Sequence, residues 1–208
     1  MNYETLYAFS LATAALAISP GPDNIYVLSQ SLANGKKFGL ATVAGLISGC
    51  LVHTTLLAFG VSAIIRESDT LFTAIKIFGA AYLLYLAYRV FRSDAAITFS
   101  PKGVPRKGLS RLFRQGFLMN VLNPKVTIFF LAFFPGFLFS QSLGKVVQFY
   151  VLGLLFMLVS GIIFCGIALA SGAISEYIRT NRRVGPVLKW MQILVFVGIA
   201  VYLLLSGK

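Results

Sequence analysis

The chain has 208 residues, 58% of them hydrophobic and 12% charged, and a mean hydropathy of +0.84. A soluble domain of this size cannot hide so much apolar surface, so the composition points to an integral membrane protein. The net charge of +12 raises nucleic acid as a partner, but no ordered soluble platform accompanies it, and the basic residues are distributed as a topology signal.

Six apolar stretches are predicted, at roughly 6–32, 39–65, 70–91, 115–139, 146–172 and 187–205, each long enough for a helix across a core of roughly 30 Å. The short alternating segments of a β-barrel are not seen. The first stretch opens with Glu4 in place of a basic leader. Although Ala15-Leu16-Ala17 resembles a cleavage site, the stretch runs on, so no cleaved signal peptide is expected. Its middle reads Ser19-Pro20-Gly21-Pro22-Asp23-Asn24. Proline removes a backbone donor and glycine loosens the helix, which frees polar backbone groups that lipid cannot satisfy. This break must therefore line protein or a cavity.

The second stretch carries Gly45, Gly49 and His53 at four-residue steps, with Gly60 seven further on, a face suited to close helix approach. The third contains Lys76, near enough to the outer end to snorkel, and the sequence Ala80-Ala81-Tyr82-Leu83-Leu84. A connection at 93–114 holds Pro101, Gly103, Pro105 and Gly108 among basic residues and reads as a linker between halves. Its end, Leu109 to Arg114, suits either a short surface helix against anionic headgroups or a basic loop that sets topology. The fourth stretch is broken at Asn123-Pro124-Lys125, and the fifth carries Gly161, Cys165, Ala168 and Gly172. The sixth holds Ala200-Val201-Tyr202-Leu203-Leu204, a faint echo of the third.

Charge orients these stretches. The first, third and fifth connections carry Lys36, Lys37, Arg89, Arg92, Lys102, Arg106, Lys107, Arg111, Arg114, Arg179, Arg182, Arg183 and Lys189. The opposite side has only Arg66, Lys145 and Lys208. The positive-inside rule then places the basic connections in the cytoplasm and both termini outside. Three stretches per half send the second half in from the opposite side, so likeness between the halves means an inverted repeat. The expected fold is an all-α integral membrane protein: six transmembrane helices as a 3+3 inverted repeat, with helices 1 and 4 interrupted. Residues 1–92 form the first repeat, 93–114 the cytoplasmic linker and 115–208 the second repeat.

Ionisable residues inside a membrane are costly and by default mark a pathway. Asp23 and Lys125 each sit at a break followed by a new half-helix, whose first turn presents free amides. Lys125 and the amides after Pro124 suit a carboxylate; Asp23, with carbonyls freed by Pro20 and Pro22, suits an ammonium or a proton. Opposite charges at opposed breaks fit a zwitterion the size of an amino acid, and they also fit a structural pair. His53 reads equally as a proton relay or as a histidine bonded to a helix carbonyl. Cys50 and Cys165 hold comparable places in their halves, as a thiol relay would require, but lack CxxC spacing and suit ordinary packing as well. A single histidine, no carboxylate pair and no phosphate loop leave enzyme readings without support.

The motif from Ser19 to Asn24, Gly35 and Gly39, Gly45, Gly49 and His53, Gly79 to Leu83, Asn123-Pro124-Lys125 and Phe133-Phe134-Pro135 resemble, over essentially the whole chain, the LysE/RhtB family of bacterial amino-acid exporters. The resemblance implies a plasma-membrane exporter of an amino acid or close derivative, driven by the proton gradient, with no cofactor. The family's signature breaks fall on Ser19, Pro20, Gly21, Pro22, Asp23 and Asn24 and on Asn123, Pro124 and Lys125. Asp23 is the one acid in the spans, which favours a neutral substrate of threonine, homoserine or leucine type. Other readings are a metal-ion exporter of the same superfamily and the thiol relay. Gly45 and Gly49 form a GxxxG that allows packing within a subunit or in a homodimer.

Overall fold

The computed structural model describes residues 2–63, 68–94, 104–181 and 183–205. The sequence features at Arg66, Pro101, Lys102, Gly103, Arg182 and Lys208 lie outside the described residues. Among the described residues the chain is helical throughout: α1 Tyr3–Ile18, α2 Pro22–Asn34, α3 Lys36–Leu56, α4 Asp69–Arg92, α5 Leu109–Val121, α6 Pro124–Ile128, α7 Lys145–Leu169, α8 Ser171–Thr180 and α9 Val184–Leu205.

Among the described residues, four helical segments are long and apolar enough to cross a membrane: Lys36–Val61, Thr70–Arg92, Lys145–Leu169 and Val184–Leu205. The pair Leu109–Val121 and Pro124–Phe137, bent by 49°, makes a fifth if taken as one span. Large apolar side chains such as Leu11, Phe59, Phe78, Leu158, Ile162 and Leu194 are exposed on the outside, as expected of a protein whose solvent is lipid. The first predicted stretch is no single apolar rod. α1 is apolar but short, and α2 carries Asp23, Asn24, Ser29, Gln30, Ser31 and Asn34.

Glycines govern the closest packing. A Cβ at Gly45 would overlap the Phe113 carbonyl, and one at Gly116 the Thr42 carbonyl, so α3 and α5 meet backbone to backbone. Gly49 makes room for the Asn120 side chain at the same seam. The Gly45/Gly49 face is thus used within the subunit. Gly60 leaves that face, because Leu57–Val61 widens into a π-helical turn that shifts the register, and it is exposed. The glycine of α7 that admits a neighbour is Gly153, against Thr54, whereas Gly161 has only ordinary contact with Ile47 and Gly172 meets open space. The buried stripe of α7 runs through Leu152, Phe156, Ser160, Phe164 and Ala168, sharing Ala168 with the predicted small-residue face but passing through Ser160 and Phe164 in place of Gly161 and Cys165.

Leu109 to Arg114 forms neither a separate surface helix nor a loop. It is the first part of α5, whose buried face is Leu112, Gly116 and Asn120 at i, i+4 and i+8. A helix not foreseen, α8, comes directly after α7. α4 packs along α9 and α3 along α7, while α5 lies on α3 and α1 on α7. Gly35, at φ 104, turns the chain from α2 back onto α3.

Two cores flank the helix breaks. A large one is aromatic: Phe9, Phe129, Phe130, Phe133, Phe134, Phe137, Phe149 and Phe156, with Leu57, Leu83 and Phe196. A small one joins Val27, Val43, Leu46, Phe164 and Ala168.

Candidate functional site at the two helix breaks

At the first break α1 ends with the Ser19 N–H on the Ala15 carbonyl at 3.1 Å. Pro20 and Pro22 cannot donate to the carbonyls one turn back, and Gly21 takes an extended conformation, φ −161 and ψ 176. The Asn24 side-chain amide then reaches back across the gap and donates to the Ala17 carbonyl at 2.7 Å. The break is closed from within its own segment. Asp23 sits in the first turn of α2, where a carboxylate complements the helix dipole, and is buried.

The second break is held by Asn123. Its side-chain oxygen accepts the Lys125 N–H at 3.0 Å, and its side-chain amide donates to the Asp23 carboxylate at 3.0 Å. One side chain therefore caps α6 and ties the breaks together. The Lys125 amide is thus capped by Asn123 and the Thr127 amide donates to the Asn123 carbonyl at 3.0 Å, so these two amides after Pro124 are engaged within the break, while Lys125 itself lines the cavity. That ammonium lies 5.1 Å from the centre of the Phe196 ring. Among the described residues, the partner of Asp23 is Asn123 rather than Lys125. The two charges share a cavity without being paired directly.

Pro124 also deprives the Asn120 carbonyl of its usual helical donor. That carbonyl accepts the Asn123 N–H at 3.0 Å and lies 3.1 Å from His53 Nε2. A carbonyl can only accept, so Nε2 carries the hydrogen and His53 latches α3 to the second break. His53 also faces the Phe130 ring at 5.4 Å. It is not among the residues that line the cavity.

The cavity between the breaks measures about 40 Å³ and is lined by Gly21, Pro22, Asp23, Asn24, Asn123 and Lys125 from the predicted set. Ser19, Pro20 and Pro124 shape the breaks but do not line it. Its wall is completed by Leu16, Ala17, Cys50, Asn120, Val126, Phe156, Ser160 and Phe164. Asn120 and Ser160 escape a reading of the sequence alone. Both are buried, and Asn120 Oδ1 and Ser160 Oγ have no hydrogen-bond partner among the described residues. The signal is present for Ser160, a serine inside the buried apolar stripe of α7. Asn120 is one turn before Pro124, on the same helix face as Leu112 and Gly116.

The two cysteines differ in setting. Cys50 lines the cavity, its thiol 3.6 Å from the Leu46 carbonyl. Cys165 is free and half-buried, packs beside the small core, and is not in the cavity wall. Among the described residues no three His, Cys, Asp or Glu side chains gather in a metal-binding group.

Several helices long and apolar enough to cross a membrane, with the chain interrupted at two places and an acid and a base brought to one cavity where the interruptions meet, have the make-up of a translocator. Residues 14–207 match the LysE type translocator family, and the chain belongs to that family. It is 29% identical over 183 residues to a homoserine/homoserine lactone efflux protein of Salmonella typhimurium, covering 88% of each chain. To the protein of the same name in Salmonella typhi it is 30% identical, again with 88% of each covered. An uncharacterized membrane protein of Vibrio cholerae is 29% identical over 180 residues, 86% of this chain and 87% of the relative. No solved structure matches the chain. The protein is a transporter and not an enzyme.

Proposed function

We propose that the protein exports a neutral amino acid of the threonine, homoserine or leucine type, or a close derivative, by proton antiport across the bacterial plasma membrane, with both termini outside. The observation that carries this reading is the meeting of the two breaks: Asp23 and Lys125, about a hundred residues apart in the chain, line one cavity and are linked through Asn123. The carboxylate of the substrate binds the Lys125 ammonium. Its α-ammonium takes the place of the Asn123 amide on Asp23, helped by Ser160 and Asn120, whose buried oxygens are free to accept. A proton entering from outside neutralises Asp23, releases the ammonium outward and couples the two fluxes.

The helix pairings support a 3+3 inverted repeat. The third long helices of the two halves, α4 and α9, pack on each other, as do the second ones, α3 and α7; α5 against α3 matches α1 against α7. Rocking of one half on the other would alternate access. Movement is required, since about 40 Å³ is room for roughly one water and far below the few hundred Å³ of a ligand pocket.

The test is release of an isotope-labelled amino-acid mixture from cells expressing the wild-type chain or Asp23→Asn, with and without an uncoupler. Selective, uncoupler-sensitive loss of a few amino acids that disappears in the variant is the expected result. Absence of selective efflux, with both proteins present in the membrane, would overturn the reading.

A further inference from the structure

A second and wider cleft, about 420 Å³, opens onto the same breaks. Tyr82, Leu86, Arg89 and Ser93 line one wall, and steps of four and three residues put them on one face of α4. Gln192 and Phe196, one turn apart on α9, line the other. Lys125 belongs both to this cleft and to the inner cavity. From Tyr82 to Ser93 the helix rises about 16 Å, so the cleft runs from the level of the breaks to the end of α4. There Lys189 donates to the Ser93 carbonyl at 2.6 Å and holds the α4/α9 seam together. This is the arginine-rich end, which the positive-inside rule assigns to the cytoplasm.

The chemistry of the lining is one-sided. Among the described residues it holds two cations, exposed Arg89 and inner Lys125, and no carboxylate. Apolar walls from Leu86, Val90 and Phe196 keep the local dielectric low, which strengthens the pull of both cations on an approaching anion. Volume separates the two compartments. A cleft of about 420 Å³ is within the range of small-ligand pockets, roughly 300–1,000 Å³, whereas the inner cavity is not.

We propose that this cleft is the cytoplasmic loading vestibule, in which the Arg89 guanidinium takes the substrate carboxylate first, Gln192 and the Tyr82 hydroxyl hydrogen-bond to it, and Lys125 receives it when the inner cavity widens. A guanidinium fork suits a carboxylate at an open site because it binds with two parallel bonds. This inference rests on the export reading above and names the residues through which a substrate reaches that site.

The test uses Ser93→Cys and, separately, Gln192→Cys in a Cys50→Ser, Cys165→Ser background, in inside-out vesicles. Each is labelled with an anionic and with a cationic methanethiosulfonate of similar size, alone and with L-homoserine, L-threonine or L-leucine. The anionic reagent is expected to be favoured by about tenfold over its ratio in solution. Arg89→Gln should return the ratio to the solution value, Arg89→Lys should keep part of the preference, and the transported amino acid should slow labelling. A solution-like ratio with Arg89 present, or a preference indifferent to Arg89→Gln at both positions, overturns the vestibule even if an amino acid is exported. An Arg89-dependent preference with no protection by any of the three amino acids keeps the anion entry and tells against the export reading instead. In transport, Arg89→Gln should raise KM for cytoplasmic substrate, and an unchanged KM would count against the vestibule.

Discussion

The two helix breaks use the same device, but only the second also draws on a partner from a distant helix. At the first, two prolines and a glycine take Ser19 to Gly21 out of the helix, and Asn24 from the same segment satisfies the freed Ala17 carbonyl. The chain then resumes as the regular, polar helix α2, which turns at Gly35 and packs through small residues, Gly39 against Ser31 among them. At the second, one proline interrupts the chain and local satisfaction is joined by a donor from elsewhere: the Asn120 carbonyl accepts the Asn123 N–H and is also reached by His53 of α3. Beyond this break the chain forms a five-residue α-helix, then a π turn over Phe129–Phe133 and a 3-10 turn over Phe134–Phe137. That run is packed in phenylalanine, with Phe130 and Phe134 stacked at 4.1 Å and Phe129 and Phe133 at 4.5 Å. The difference teaches that a proline in a membrane helix only creates a demand. Which groups meet it decides whether the break is self-contained or latched to its neighbours.

The comparison can be broken most sharply at the charges. Asp23→Asn should abolish gradient-coupled export while the protein still inserts; full coupled export by this variant would remove the carboxylate from the mechanism. Lys125→Ala should weaken substrate binding by roughly 10- to 100-fold, the loss of one charge-assisted contact, read as KM for cytoplasmic substrate. Normal export at every concentration would show that the anion is held elsewhere.

Packing and latching have smaller effects. Gly45→Leu pushes a side chain into the Phe113 backbone and should cost about 3 kcal/mol or more, seen as a lowered Tm in detergent with the breaks themselves untouched. His53→Ala should cost about 1–2 kcal/mol because a donor to the Asn120 carbonyl is lost. Proton-coupled transport should survive, and His53→Gln should recover much of the stability. Loss of coupling in both His53 variants at normal stability would make His53 a proton carrier and erase the contrast drawn between the breaks. The smallest effect is expected for Cys50→Ser with Cys165→Ser, which should export at near the wild-type rate; an inactive double variant would favour thiol chemistry.

Much of the architecture is legible in the sequence because lipid leaves the backbone few choices. Long apolar stretches have to be helices, and the positions of Pro20, Pro22 and Pro124 have to be interruptions. Glycines read correctly where their spacing alone matters, as at Gly45 and Gly49. They mislead where a π turn changes the spacing, as at Gly60, where an apolar helix offers no periodic signal to say which face is buried, as at Gly161, and where the helix has already ended, as at Gly172 in α8. The extent of α5 is hidden for a related reason. Arg111 and Arg114 look like loop or surface residues, and nothing local shows that Leu112 is buried against α3.

The candidate site divides in the same manner. Residue type and position along the chain determined that Asp23 and Lys125 need protein or water around them, because an unsolvated charge in hydrocarbon costs several kcal/mol. Only the tertiary structure decided what surrounds them. Asn123 reads in the sequence as part of a motif, and the fold makes it the bridge between the breaks. Ser160 and Asn120 reach the cavity wall because α7 and α5 rotate them there, a matter of helix packing that no local pattern records. His53, on the expected face, turns to the Asn120 carbonyl, which Pro124 leaves without its i+4 donor and with the Asn123 N–H in its place. The physical reason is general: chain-local rules specify which groups must find partners, and the choice of partner belongs to the packing of elements distant in sequence.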